Sequence, residues 1–247
     1  MYRFTILGCG SSGGVPRLGG DWGDCDPTNR KNRRRRCSLL VERIGAEGIT
    51  RVLIDTSPDL RAQMLAANVR HVDALLYTHD HADQVHGIDD LRVFAMRRRQ
   101  RIPAWMDEAT RDALIGRFPY IFKSQEGYPA ILDEMAIPPH GQPWTVGGAG
   151  GTVPVVTFDQ AHGPIRSVGY RIGPVAYSSD VSRLQYKEAR TTVNVSASYQ
   201  WRPWLEFSVD LMNAFNEPHT FYRALPDRIS SYSRNGATLT FSVSGRF

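Results

Sequence analysis

The sequence contains few cysteines, no long apolar run and no excess of acidic residues. Only three cysteines occur among 247 residues, Cys9, Cys25 and Cys37, which is too few and too scattered for a disulfide framework. This usage favours a reducing compartment, so we expect a cytoplasmic protein. The apolar stretch before Cys9 is far shorter than that of a signal peptide, and no run approaches the length of a membrane-spanning helix. We therefore expect neither export nor a membrane partner.

Basic residues are in modest excess, with 30 lysines and arginines against 25 acidic residues. Part of this excess comes from one run, Arg33 to Arg36. Such a run is usually a solvated loop, and the functional alternative is contact with an anion or a phosphate group. Nucleic-acid binding would require basic residues spread over a face with interleaved aromatic residues. That pattern is not found, so no nucleic-acid partner is expected.

The most informative segment is His79-Asp80-His81-Ala82-Asp83, which follows the apolar run 72–77. The apolar run predicts a buried strand. Because residues two apart in an extended segment project to the same side, His79, His81 and Asp83 are expected to converge at the strand's carboxyl end. Two imidazoles and a carboxylate suit zinc, and Mn²⁺ or Fe²⁺ nearly as well. The alternative is a polar loop whose histidines face water.

Two more candidate ligands follow predicted strands later in the chain. His162 comes after the strand predicted at 152–158, and Asp180 ends the segment Tyr177-Ser178-Ser179-Asp180. Each alone would more often be a hydrogen-bonded loop residue, but with the earlier motif they supply a third imidazole and a carboxylate. Asp55, which closes a strand predicted at 51–55, is a candidate for a carboxylate that orients a ligand.

Strand-like and helix-like segments are mixed over the first 180 residues. Besides the strands named above, the pattern predicts strands at 37–43, 167–172 and 175–177 and a helix at 108–118. Ser57-Pro58 is expected to open a helix, with Ser57 as its N-cap. This mixture indicates an α/β sandwich.

The motifs resemble those of the metallo-β-lactamase-fold hydrolases, and within them the phosphoribosyl cyclic phosphate phosphodiesterase branch. The glycine-rich turn at 8–16 and the segment 87–92 add to the resemblance, which covers about residues 1–182. It implies an αββα sandwich and a phosphodiesterase that acts on a small cyclic phosphate ester. It also implies zinc ligands, with Mn or Fe as alternatives, and catalytic roles for Asp83 and Asp180. In the family pattern, one ion is bound by His79, His81 and His162, a second by Asp83, and both by Asp180.

The sequence departs from the family pattern in two places. The family motif ends in Asp-His, whereas Asp83 is followed by Gln84, and nearby His86 offers an imidazole at the wrong position. After about Ser182 the resemblance ends, and the family's final metal-binding histidine has no counterpart. We therefore expect a hydrolase domain over 1–182 that is incomplete at its carboxyl end, impaired activity, and one ion or a weakly filled second position.

The segment 183–247 has a different pattern of apolar and polar residues. Strict alternation of apolar and polar residues predicts strands at 191–201, 205–211 and 237–247. Such strands are typical of a transmembrane β-barrel wall and equally of a half-buried soluble sheet. The segments 213–218 and 243–247 resemble the last strands of a TonB-dependent outer-membrane receptor.

A few barrel strands leave an open sheet edge that lipid cannot satisfy, so we do not expect this segment to act as a receptor. Three hypotheses follow from the sequence: a metal-dependent phosphodiesterase, a fragment of an outer-membrane receptor, and a fusion product without selected function. The oligomeric state is not predicted.

Overall fold

A computed structural model describes residues 1–184, 195–202, 205–212, 219–222, 229–233 and 238–245, with side chains through Ser182. The chain divides into two compact units, Met1–Val181 and Ser182–Phe247.

The first sheet of the first unit has six strands in sequence order. They are β1 (Tyr2–Gly8), β2 (Ser38–Ile44), β3 (Ile49–Ile54), β4 (Ala74–Leu76), β5 (Ile102–Met106) and β6 (Leu132–Ala136). The first three strands are antiparallel neighbours, whereas the last four are parallel. Parallel neighbours need crossover connections, and most of the helices lie in them.

Five short helices connect the parallel strands. They are α1 (Leu60–Ala66), α2 (Ala82–Val85), α3 (Arg92–Arg98), α4 (Glu108–Arg117) and α5 (Pro119–Phe122), with 3₁₀ turns at Arg30–Asn32 and Ile88–Leu91. A core of aliphatic and aromatic side chains, including Leu53, Leu75 and Ile88, lies between these helices and the first sheet. Within the described ranges, no helix follows Phe122.

The second sheet is antiparallel and contains β7 (Pro143–Val146), β8 (Val153–His162), β9 (Ile165–Ile172) and β10 (Val175–Tyr177). Its inner face packs on the first sheet through a second core that includes Val41, Val52, Val153 and Tyr170. β4 is buried at all three positions because both of its faces are covered, whereas β8 begins by alternating buried and exposed residues. The layers form the α/β sandwich of the metallo-β-lactamase fold, as predicted, but the described residues contain only the helix layer on the first sheet and not the second one of the αββα pattern.

The second unit contains strands where the alternation predicts them. β12 (Val195–Arg202), β13 (Leu205–Met212) and β16 (Thr238–Gly245) form a three-stranded antiparallel sheet, and β14 (His219–Tyr222) pairs with β15 (Ile229–Ser233). A two-residue strand, β11 (Arg183–Leu184), precedes them. Segment 213–218 and the last two residues, which carry most of the receptor resemblance, lie outside the described residues.

One prediction about a helix start is wrong. Helix α1 begins at Leu60 with Asp59 in the N-cap position, two residues later than the sequence indicates. Ser57 instead closes a turn, because its hydroxyl accepts from the Asp59 amide at 3.2 Å and donates to Gln63 Oε1 at 3.0 Å.

None of the helices in the described part of the chain is long and apolar enough to span a membrane.

Candidate metal centre

The histidine motif lies in the loop that leaves β4 at its carboxyl end. His79 and His81 belong to this loop, and the motif's Asp83 lies in the first turn of α2. His162 is the last residue of β8, at the turn into β9. The carbonyl of Thr78 accepts a hydrogen bond from the backbone amide of Val168 in β9 at 2.7 Å, which joins the two sheets beside the motif.

Three imidazoles converge at this junction. Ring nitrogens of His79, His81 and His162 all lie within 4.8 Å of one another. His162 Nε2 and His81 Nδ1 are 3.2 Å apart. Two nitrogens of a tetrahedral zinc site, each about 2.0–2.1 Å from the ion, are separated by roughly 3.3 Å. The spacing therefore fits a metal ion, and the structure brings together the three predicted histidines.

His79 is the buried member of the cluster. Its side chain is 1% exposed, and its Nε2 is buried without a hydrogen-bond partner. Burial and, to a lesser extent, the neighbouring His81 and His162 lower the pKa of His79 to about 4. The ring is therefore neutral near pH 7, which leaves a lone pair free to bind a metal ion.

A buried carboxyl group orients His79 through a hydroxyl group. Thr78 Oγ1 lies 2.9 Å from Asp55 Oδ2 and 3.0 Å from His79 Nδ1. If the hydroxyl donates to Asp55, it accepts from Nδ1–H, and Nε2 keeps its lone pair towards the cluster. Asp55 also accepts from the Thr78 amide at 2.8 Å. Burial raises the pKa of Asp55 to about 8.

The two predicted carboxylates are connected by Gln84 and lie outside the group of the three histidines. For Asp83 the period of two does not hold, because helix α2 begins at Ala82. Gln84 Nε2 donates to Asp180 Oδ2 at 3.0 Å and lies 3.5 Å from Asp83 Oδ2. Asp180 Oδ2 is 3.6 Å from His79 Nε2. His86 does not join them in this structure, since its ring packs edge-on against Phe118 with centroids 5.7 Å apart.

A buried amide supports the second-sheet side of the site. Gln160 in β8 donates to Ser167 Oγ at 3.0 Å and to the Ser179 carbonyl at 3.1 Å, and it accepts from Ser178 Oγ at 2.5 Å. These bonds hold the segment before Asp180 against β8. Sequence reasoning missed Gln160, whose only signal is its position two residues before His162.

An arginine on helix α4 holds the loop between the first two histidines. Arg117 donates from Nη2 to the Asp80 carboxylate at 2.5 Å and from Nη1 to the Asp80 backbone carbonyl. No pattern in the sequence indicates this contact, because Arg117 is 37 residues from its partner.

A cavity of about 730 Å³ lies between β1, the glycine-rich turn and the arginine run. Its lining includes Leu7, Cys9, Arg33, Arg34 and Arg35. Among the described side chains, these three arginines form no ion pair, whereas the next residue of the run binds Asp59. The lining of the cavity is therefore basic.

Cys37 joins the glycine-rich turn to the site. Its thiol donates to the Gly10 carbonyl at 3.3 Å. Burial and, to a lesser extent, the nearby acidic groups of Asp180, Asp55 and Asp83 raise the pKa of Cys37 to about 12. The thiol therefore remains protonated near pH 7, which makes it a poor nucleophile and a structural donor.

Comparison with known proteins places this site in a family. The family model described as "Beta-lactamase superfamily domain" matches residues 50–196. The crystal structure described as a new diphosphatase from the PhnP family is 32% identical, with a TM-score of 0.60, over 74% of this chain and 67% of that one. A metallo-β-lactamase fold protein, YhfI from Bacillus subtilis, is 20% identical over 71% of this chain and 59% of its own, with a TM-score of 0.47.

A curated relative is named for an activity other than that of the diphosphatase. An octanoyltransferase from Porphyromonas gingivalis (strain ATCC BAA-308 / W83) is 32% identical over 188 residues, which is 75% of this chain and 36% of the relative. The chain thus spans little more than a third of that protein's length. Since the β-lactamase family model covers more than half of the chain, including the histidine motif, His162 and Asp180, the chain belongs to the β-lactamase superfamily domain family.

Proposed function

We propose that this protein is a metal-dependent hydrolase of small phosphate esters, with a cyclic phosphodiester as the preferred class. The observation that carries the proposal is the cluster of His79, His81 and His162, with a buried, unpartnered Nε2 on His79. An unpaired buried nitrogen is costly unless something binds it. A metal ion satisfies this nitrogen and the two beside it.

Zinc is the ion that we propose, with Mn or Fe as alternatives, because three imidazoles with an open fourth position are typical of catalytic zinc sites. When bound, such an ion lowers the pKa of a coordinated water and neutralises charge on the phosphoryl oxygens. In this proposal Asp180, beside His79, accepts a hydrogen bond from the attacking water and orients it towards phosphorus. Asp83 fixes the amide of Gln84, which in turn fixes Asp180.

Charge supports an anionic substrate. The cavity is lined by Arg33, Arg34 and Arg35, which form no ion pair with the described side chains. Guanidinium groups bind phosphate oxygens through paired hydrogen bonds. In our proposal this cavity binds the phosphate part of a substrate or of its leaving group.

The names of the relatives favour phosphate chemistry over acyl transfer. The protein described as a diphosphatase is matched over two thirds of its length, whereas the octanoyltransferase is matched over little more than a third. The name of the second protein can therefore describe a part that this chain does not match.

The proposal includes neither a nucleic-acid partner nor a membrane partner. The three free cysteines are compatible with the cytoplasmic location expected from the sequence. The receptor-like origin of residues 183–247 stays a prediction.

Metal analysis of the full chain tests the proposal. We expect bound metal in the purified protein, and loss of most of it in His81→Ala and His162→Ala. His140→Ala is the matched control, because its ring bonds to Thr157 Oγ1 and lies outside the cluster. The loaded protein should hydrolyse bis(4-nitrophenyl) phosphate faster than 4-nitrophenyl octanoate. Metal-free protein, or a preference for the octanoate ester, contradicts the proposal.

A further inference from the structure

Gln84 occupies the place where the family pattern has an imidazole for a second ion. It directly follows Asp83 in helix α2, and its side chain is fully buried. Its backbone is also fixed, since the Gln84 carbonyl accepts from the Thr56 amide at 2.7 Å. The amide group therefore has little freedom to leave the site.

The donor end of this amide faces the two carboxylates. Nε2 lies 3.0 Å from Asp180 Oδ2 and 3.5 Å from Asp83 Oδ2, so its two hydrogens can serve one carboxylate each. A second cation shared by these carboxylates would lie on the same side and would meet N–H groups, which repel it. Turning the amide over would present Oε1 to two carboxylates and lose both hydrogen bonds.

We propose that Gln84 replaces the second ion, so that the centre binds one metal ion and Asp180 is positioned by an amide. This inference rests on the proposed function, since it presumes an ion at the three histidines. The amide supplies hydrogen bonds to both carboxylates, but it lacks the double positive charge of an ion. Asp180 is therefore a carboxylate beside one ion, free to accept a hydrogen bond from water.

The experiment is the number of ions per chain with and without an imidazole at position 84. Full-length protein is loaded with excess Zn²⁺ or Mn²⁺, desalted and analysed by mass spectrometry for metal. We expect one ion per chain in the unmodified protein and two in Gln84→His, because the imidazole completes a site with Asp83 and Asp180. Gln84→Met has a similar volume but no ligand nitrogen and should remain at one ion.

A second variant covers the case in which Gln84→His does not fold. Gln84→Glu supplies an oxygen ligand and should also raise the count to two, with Mn²⁺ preferred because carboxylate sites suit it. Circular dichroism and thermal unfolding show which variants are folded. Mn²⁺ bound at the second position is also visible by its magnetic coupling to a first Mn²⁺.

The outcomes separate the inference from the proposed function. Two ions in the unmodified protein overturn the role of Gln84 and leave the metal centre intact. One ion in every folded variant, including Gln84→His and Gln84→Glu, also overturns it, because the residue would then not decide the count. No ion in any variant overturns the proposed function, and the inference with it.

Discussion

The loop after β4 and the hairpin of β8 and β9 bring imidazoles to the same place but are held by different contacts. The β4 loop is fixed by a buried carboxyl group, since Asp55 and Thr78 orient the buried ring of His79. The second-sheet side is fixed by an amide, because Gln160 connects β8 to the segment that leads to Asp180. In the proposed function, the first side thus orients a metal ligand, His79, and the second side supports Asp180, which orients the water.

Among the residues that support the metal ligands, we expect the largest effect from removing the carboxyl group of Asp55, which orients His79. Asp55→Ala leaves the Thr78 amide and hydroxyl without their buried acceptor, which costs about 1–3 kcal/mol of unfolding free energy. Metal affinity should fall about 10–100-fold, as for other residues that orient a ligand. Chemical denaturation and competition with a chelator measure the two effects.

Asp55→Asn is the matched control for this prediction. The backbone at Asp55 has φ of 61°, a left-handed conformation that asparagine tolerates better than most residues. Asn can still accept from the Thr78 amide, so we expect a smaller loss than in the alanine variant. Equal metal affinity in Asp55→Ala and the unmodified protein would mean that Asp55 does not orient His79.

A smaller and different effect is expected on the second-sheet side. Gln160→Leu removes buried bonds to Ser167, Ser178 and Ser179, so unfolding free energy should fall by about 1–2 kcal/mol. The three histidines remain, so metal content should stay at one ion while kcat falls several-fold, because Asp180 loses its support. Metal analysis and phosphodiester turnover on the same sample give both values.

Gln142→Leu serves as the control, since Gln142 is exposed and takes no part in these hydrogen bonds. If Gln160→Leu instead lost its metal as completely as His162→Ala, the different roles assigned to the β4 loop and to the second-sheet side would be wrong.

The smallest effect is expected for the ion pair on helix α4. Arg117→Ala removes the contacts to Asp80, which is partly exposed, so stability should change by no more than about 1 kcal/mol. Metal affinity should fall only a few-fold, because the loop keeps its contacts with Asp55 and Thr78. Arg111→Ala, on the same helix, removes pairs with Glu108 and Asp112 and should leave affinity unchanged. Isothermal titration with Zn²⁺ compares the two variants, and a loss as large as that in Asp55→Ala would show a stronger role for Arg117.

The fold of the first unit could be predicted largely from the sequence, because its strands and helices have the periodicities that burial imposes. The strand predicted at 175–177 has the observed bounds, and the helix predicted at 108–118 ends one residue earlier. The start of α1 was missed because Ser57 binds the turn before the helix. Local propensity does not distinguish a helix that is capped by Ser57 from one that is capped by Asp59.

The sequence by itself determined the candidate ligands, since a period of two at the end of a buried strand places His79 and His81 on one side. It also marked Gln84 as a departure from the family motif. Only the tertiary structure decided that His162 joins them from the other sheet, that the Gln84 amide faces two carboxylates, and that Gln160 and Arg117 support the site. These contacts connect residues far apart in the chain, and their distances follow from the packing of two sheets.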